Sequence, residues 1–233
     1  MEWLLAPVDP ARAHHLDLAA AWHGRLMVLA WAVLLPIGVL IARFLKIKPK
    51  QDWPRERDSK LWFRTHVGMQ CVGAGCMAAA LWLIASSPMA GGPGAVQHKA
   101  LGWAISIAAL AQLGAFWLRG SKGGPLSSGE TTWGDHYNMS RRRRTWEICH
   151  KLFGYLALLL AVATIFSGMW MVNGPRWMFL LIGVWWCLVF AAFALLQRRG
   201  LAYDTYQAIW GPDASHPGNA MRPIGFGIRR RGE

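Results

Sequence analysis

Five long apolar stretches run through the chain, and the connections between them hold almost all of its charge. They lie at about Leu18–Phe44, Leu61–Ser86, Val96–Leu118, Trp146–Val172 and Trp177–Gln197. Each is near the roughly 20 residues a helix needs to cross the hydrocarbon core of a bilayer. None alternates apolar and polar positions with the two-residue period of a barrel strand. The pattern predicts an all-α membrane protein with five transmembrane helices over residues 18–197. A short N-terminal segment (1–17) precedes them, and a polar tail (198–233) reads as an extension rather than a domain. Pro36 falls inside the first stretch and is expected to kink it, which membrane helices tolerate. Tryptophans such as Trp22, Trp103, Trp117 and Trp177 fall near the predicted helix ends, as an interfacial belt requires. Trp31 and Trp82 are expected in the core instead.

Composition sharpens this picture. Of 233 residues, 54% are hydrophobic and only 16% charged, against roughly 25% charged in soluble domains. The formal net charge is nevertheless +13. This excludes a disordered chain, a collagen-like chain and a disulfide framework. It also argues against nucleic acid as a partner, because the cations sit in the connections. The first, third and C-terminal connections carry 21 Lys and Arg; the other segments carry only Arg12, Arg25, Lys99 and Arg176. Under the positive-inside rule the N-terminus is expected outside and the C-terminus in the cytoplasm. The run Arg141–Arg144 reads as a topology signal before it reads as an anion site. No basic region precedes an apolar core at the N-terminus, so no cleavable signal peptide is expected.

Four of the eight histidines fall inside predicted helices: His23, His66, His98 and His150, one on each of four helices. Ionisable residues at membrane depth are rare and usually functional. With the predicted topology, His23 and His98 both lie near the outer face, and His66 and His150 near the inner face. Two histidines from facing helices can grip a flat metallocofactor in a bundle core, and imidazole is an axial ligand of haem iron. Two pairs imply two haems. The bland alternative for each histidine is a helix–helix hydrogen bond or part of a proton path. Zinc suits the pattern less, because neither pair has a carboxylate or thiolate at hand to complete a tetrahedral site. Solvated loop positions are expected for His14, His15, His136 and His216.

Gly102 and Gly154 each sit one turn after a candidate ligand, where a missing side chain leaves room for a porphyrin edge or for close helix packing. Arg64, Lys99, Arg144 and Lys151 lie at the membrane edges. They could pair with haem propionates or simply snorkel. Gln70 and Gln112 are polar groups inside helices. The four cysteines are expected as buried free thiols, and no Cys-x-x-Cys-His signals covalent haem attachment. Nucleotide, phosphate-loop and nucleophile-elbow motifs are absent, so electron passage is expected rather than substrate chemistry.

The ordered text Trp22-His23-Gly24, Ile37-Gly38-Val39-Leu40-Ile41-Ala42-Arg43, Arg64-Thr65-His66-Val67-Gly68, His98-Lys99-Ala100-Leu101-Gly102 and Arg144-Thr145-Trp146 with His150 resembles the cytochrome b561 superfamily. The resemblance is to the branch found beside DOMON domains and covers about residues 20–195. It implies a four-helix core with two b-type haems and electron transfer across a membrane. The family's four ligand histidines map onto His23, His66, His98 and His150. The third ligand lies in Val96-Gln97-His98-Lys99-Ala100, where the ascorbate-using branch has Ser-Leu-His-Ser-Trp. A stand-alone form in a bacterial inner membrane is expected, with an outer redox partner on a separate chain. The expected surroundings are lipid, quinone within the bilayer, and a redox protein or larger complex. The alternative function is an accessory or anchoring subunit of a respiratory or photosynthetic assembly.

Overall fold

A computed structural model of the chain describes residues 1–13, 16–85 and 93–230. His14, His15 and Ser86 lie outside them. Among the described residues, five helices are long and apolar enough to cross a membrane: α1 (Leu18–Phe44), α2 (Leu61–Ala85), α3 (Ala95–Leu118), α4 (Arg141–Met171) and α5 (Arg176–Arg198). The fold is that of an all-α integral membrane protein. Asp17 caps α1 by accepting from the Ala20 amide at 2.6 Å. α4 begins five residues before the apolar run does. The Ser140 hydroxyl accepts from the Arg143 amide at 3.2 Å, and four arginines carry the helix from that cap to the apolar run.

α1 carries the mark of Pro36. Proline lacks an amide hydrogen and its ring crowds the carbonyl four residues back, here that of Ala32. The helix responds with a π-helical segment over Leu29–Leu34, and the freed Ala32 carbonyl accepts from the Trp185 indole at 2.7 Å. An indole on α5 thus replaces the bond that proline removes.

The chain divides into two compact units, and each spanning helix contributes to both. One unit comprises residues 1–38, 68–109 and 156–192. Its core contains Ala30, Trp31, Ala32, Met77, Ile105, Ala157, Ala161, Ile165, Ile182 and Trp186. All five helices contribute, and alanines let the backbones approach. Trp31 is buried as expected, whereas Trp82 is 73% exposed and belongs to the outer surface of the helix. The N-terminal segment is ordered in this unit. Arg12 donates to the carbonyls of Trp170 and Met171, and the buried Asn173 amide donates to those of Asp9 and Arg12.

The other unit comprises residues 39–67, 110–155 and 193–233. The third connection forms a hairpin of β1 (Gly124–Pro125) and β2 (Thr131–Thr132). At Gly124, where φ is +99°, a Cβ would meet the Trp210 ring at 2.4 Å, so only glycine fits. The polar tail is folded rather than a loose extension. Tyr206, Trp210 and Ile224 from the tail pack with Tyr137 and Met139 from the third connection. Asp204 caps the short helix Thr205–Trp210 and pairs with Arg230 at 2.7 Å.

Candidate functional site: two histidine pairs

His23 on α1 and His98 on α3 face each other in the first unit, with ring centroids 6.2 Å apart and planes at 86°. His66 on α2 and His150 on α4 do the same in the second unit, at 6.3 Å and 89°. All four rings are half-buried. A metal–imidazole bond is about 2 Å, and a ring centroid lies about 1.1 Å behind the donor nitrogen, so two coaxial imidazoles on one ion stand about 6 Å apart. Both pairs have that spacing. Among the described residues no cluster of three or more His, Cys, Asp and Glu is gathered, so a metal held by protein donors alone lacks a donor set. A planar group that supplies its own four equatorial donors fits.

The His23 and His98 rings are oriented by hydrogen bonds. Carbonyls only accept, so His23 Nδ1 donates to Ala80 O at 3.0 Å. His98 Nδ1 likewise donates toward Thr164 O at 3.2 Å and Ser167 Oγ at 3.1 Å, while the Ser167 hydroxyl donates to Thr164 O. A hydrogen on Nδ1 leaves the Nε2 lone pair available for a metal. Gly168 lets the His98 ring lie this close to α4, because a Cβ there would stand 2.8 Å from Cε1. His150 is held differently, stacked on Trp146 at 5.0 Å with planes 8° apart; its Nδ1 is buried without a hydrogen-bond partner. The Trp146 indole donates to Ala115 O at 2.6 Å, which fixes the ring on which His150 stacks.

The flanking glycines open space. A Cβ at Gly24, Gly68 or Gly102 would meet no protein atom within 4 Å, and at Gly154 only the Gln112 amide at 4.0 Å. Arg64, Lys99 and Arg144 are exposed. Lys151 is engaged with Glu147 at 2.6 Å and the Ile224 carbonyl at 2.6 Å. Gln70 bonds Leu35 O on α1 at 3.3 Å, and Gln112 donates to the carbonyl of His150 at 3.1 Å. Cys71, Cys149 and Cys187 are free as expected but exposed on the helix surfaces rather than buried; Cys76 is partly covered.

Sequence reasoning missed Thr164, Ser167 and Gly168. Small polar residues on a membrane helix are a signal for close helix contact, but do not say which helix they serve. It also counted Arg43 and Lys46 as loop charges, and both are buried, at 7% and 4% exposure. Burial lowers the Lys46 ammonium to about 7, with repulsion from Lys151 and Arg43 adding to it and Glu147 and Asp204 opposing it. His136, expected in solvent, is buried under Tyr206 and Trp210 and held neutral, down at about 3. His216 bonds the Tyr137 hydroxyl at 3.1 Å.

No protein-family model and no solved structure matches the chain. Curated relatives are informative. A cytochrome b561, DM13 and DOMON domain-containing protein of Arabidopsis thaliana is 32% identical over 76% of this chain and 18% of its own length. Two cytochrome b561 and DOMON domain-containing proteins of the same plant are 27% and 26% identical, over 79% and 78% of this chain and 43% and 38% of theirs. The chain thus spans less than half the length of these relatives. With five spanning helices and that similarity along three-quarters of its length, the chain belongs to the cytochrome b561 family.

Proposed function

We propose that the protein carries electrons across a membrane through two b-type haems, one held by His23 and His98 and the other by His66 and His150. Family membership supports the b-type haem and the electron-transfer role. The observation behind the two-haem reading is the repeated geometry: two cross-helix imidazole pairs with the same separation and the same near-perpendicular planes. Bound haem supplies a one-electron carrier whose potential the protein tunes through axial ligation, burial and nearby charge.

The chain's own residues do the rest. Each histidine pair would supply both protein ligands of one haem iron, which would leave no open position for oxygen. Ala80, Thr164 and Ser167 fix the tautomer and rotation of the His23 and His98 rings. Trp146 fixes the plane of His150. Gly102 and Gly154, with Gly24 and Gly68, keep the helix faces beside the ligands clear. Arg64 and Lys99, exposed at the helix ends, would pair with the haem propionates. The charge asymmetry supports an outer N-terminus and a cytoplasmic C-terminus. Electron donor and acceptor are then a quinone in the bilayer or a separate redox protein. The anchoring-subunit alternative has no comparable geometric observation behind it.

The test is a haem count. A pyridine haemochromogen assay and a reduced-minus-oxidised spectrum of purified protein should give two b-type haems per chain. His66→Ala and His98→Ala should each lose one haem and keep the other. Protein that binds none, although made with ample haem supply, overturns the proposal.

A further inference from the structure

The second unit takes an unusual set of charges out of water where α1 ends. Glu147 is buried between Arg143 at 3.2 Å and Lys151 at 2.6 Å. Asp204 is buried against Arg230 at 2.7 Å. The Arg43 guanidinium is spent on Tyr155, Gln197 and the Phe226 carbonyl. Both carboxylates are therefore already claimed, and the cations outnumber them. Lys46 sits among these groups at 4% exposure, and its ammonium reaches two carbonyls, Arg43 O at 3.2 Å and Tyr203 O at 3.0 Å.

A buried surplus of positive charge is costly, and the cheapest relief is loss of a proton. Arginine does not give one up in proteins. Lys151 is held by its 2.6 Å ion pair. Lys46 has carbonyls for partners, and both serve a neutral amine as well as an ammonium. The charged groups facing it are Arg43 on its own helix, Glu147 and Lys151 from α4, and Asp204 from the tail. Its lowered proton affinity, about 7, agrees with this balance.

This cluster borders the inner histidine pair. Glu147 lies one helical turn before His150, and Lys151 directly after it. Charge arriving at that pair is therefore felt at Lys46, more strongly than it would be through water.

We propose that Lys46 is a redox-linked proton site: its amine takes up one proton from water when one electron reaches the His66–His150 pair, and gives it back when the electron leaves. The proposal rests on the haem reading above. The electron comes from a one-electron reductant, the proton from solvent, and the amine becomes an ammonium, so the local net charge is nearly unchanged. The added negative charge favours the ammonium, and by linkage the ammonium favours the electron equally.

The test is spectroelectrochemical titration of the purified holoprotein across the window around the Lys46 midpoint. One haem potential should be level below about pH 7 and fall above it. If reduction tightens the Lys46 proton tenfold, the fall between plateaus is about 59 mV, the one-electron equivalent of a tenfold change. His98→Ala, which keeps only the inner haem, should retain that fall. Lys46→Met should be flat at the lower, high-pH potential. Lys46→Arg should be flat at the upper one, a reversal of level that mere loss of packing does not produce. If Lys46→Met fails to fold, the wild-type profile and Lys46→Arg carry the test. A flat wild-type profile with both haems bound, or a slope that survives at Lys46→Arg, overturns the proposal. A spectrum without haem overturns the haem reading itself, and the spectrum distinguishes the two failures.

Discussion

At His98 a single absent methyl group decides the ring position. The ring reaches Thr164 and Ser167 because residue 168 has no side chain; an added Cβ would lie 2.8 Å from Cε1 and 3.2 Å from Nδ1. Real Cβ contacts do not come that close, so Gly168→Ala must push the imidazole away from its two acceptors or part α3 from α4. Overpacking of this kind costs about 1–3 kcal/mol. On the two-haem proposal, Gly168→Ala should bind one haem in place of two, with the spectrum of the haem at His66 and His150 unaltered. Gly102→Ala is the informative companion. Its Cβ meets no protein atom within 4 Å, so the apoprotein should melt at the wild-type temperature, while haem retention falls if a porphyrin edge uses that space. Equal haem content in all three proteins would remove both glycines from the site. These residues differ in how visible they were. The four histidines stood out because an ionisable group in an apolar run is anomalous whatever its neighbours. Thr164, Ser167 and Gly168 are ordinary on a membrane helix, and only the arrival of His98 from α3 gives them a role.

Among the elements, α1 shows how a local defect is mended at a distance. Pro36 withholds one hydrogen bond, the backbone widens over Leu29–Leu34, and Trp185 supplies a donor to Ala32. In lipid no water can take that place, so the indole is structural rather than decorative. Trp185→Phe keeps most of the ring but removes the donor. The orphaned carbonyl should cost about 1–3 kcal/mol, visible as a lower melting temperature in detergent. Trp22→Phe, at a ring that is 48% exposed, should leave the melting temperature within error. If Trp185→Phe melts like wild type, the indole bond is not what stabilises the π segment. The five helices themselves were legible because a bilayer demands length and apolarity, and both are written directly in the chain. Hydropathy does not report polar turns that continue a helix, so the start of α4 was read five residues late. It also made the tail look like an extension. That segment's order comes from Tyr206 and Trp210 packing on Tyr137, and from Asp204 pairing with Arg230, contacts between residues far apart in sequence.

For the whole molecule, the positive charges do two separate things. Most of the 21 Lys and Arg in the first, third and C-terminal connections are solvated, and they oppose only four elsewhere. That imbalance sets which face of a membrane protein stays in the cytoplasm. A few, Arg43 and Lys46 among them, turn inward and bind backbone carbonyls of the tail. A count of charges cannot separate the two groups, which is why the buried cluster escaped a reading based on loops. Without the buried cations, a large excess of positive charge still lies on the same segments. If all five candidate helices among the described residues span, the termini lie on opposite sides. A phosphatase fused ahead of Met1 should therefore be active in intact cells, and a fluorescent protein fused after Glu233 should fold and fluoresce in the cytoplasm. The opposite reporter pattern would reverse the orientation. It would also place the His66–His150 pair, and the water that exchanges protons with Lys46, at the outer face, so that redox-linked uptake would draw on the other compartment.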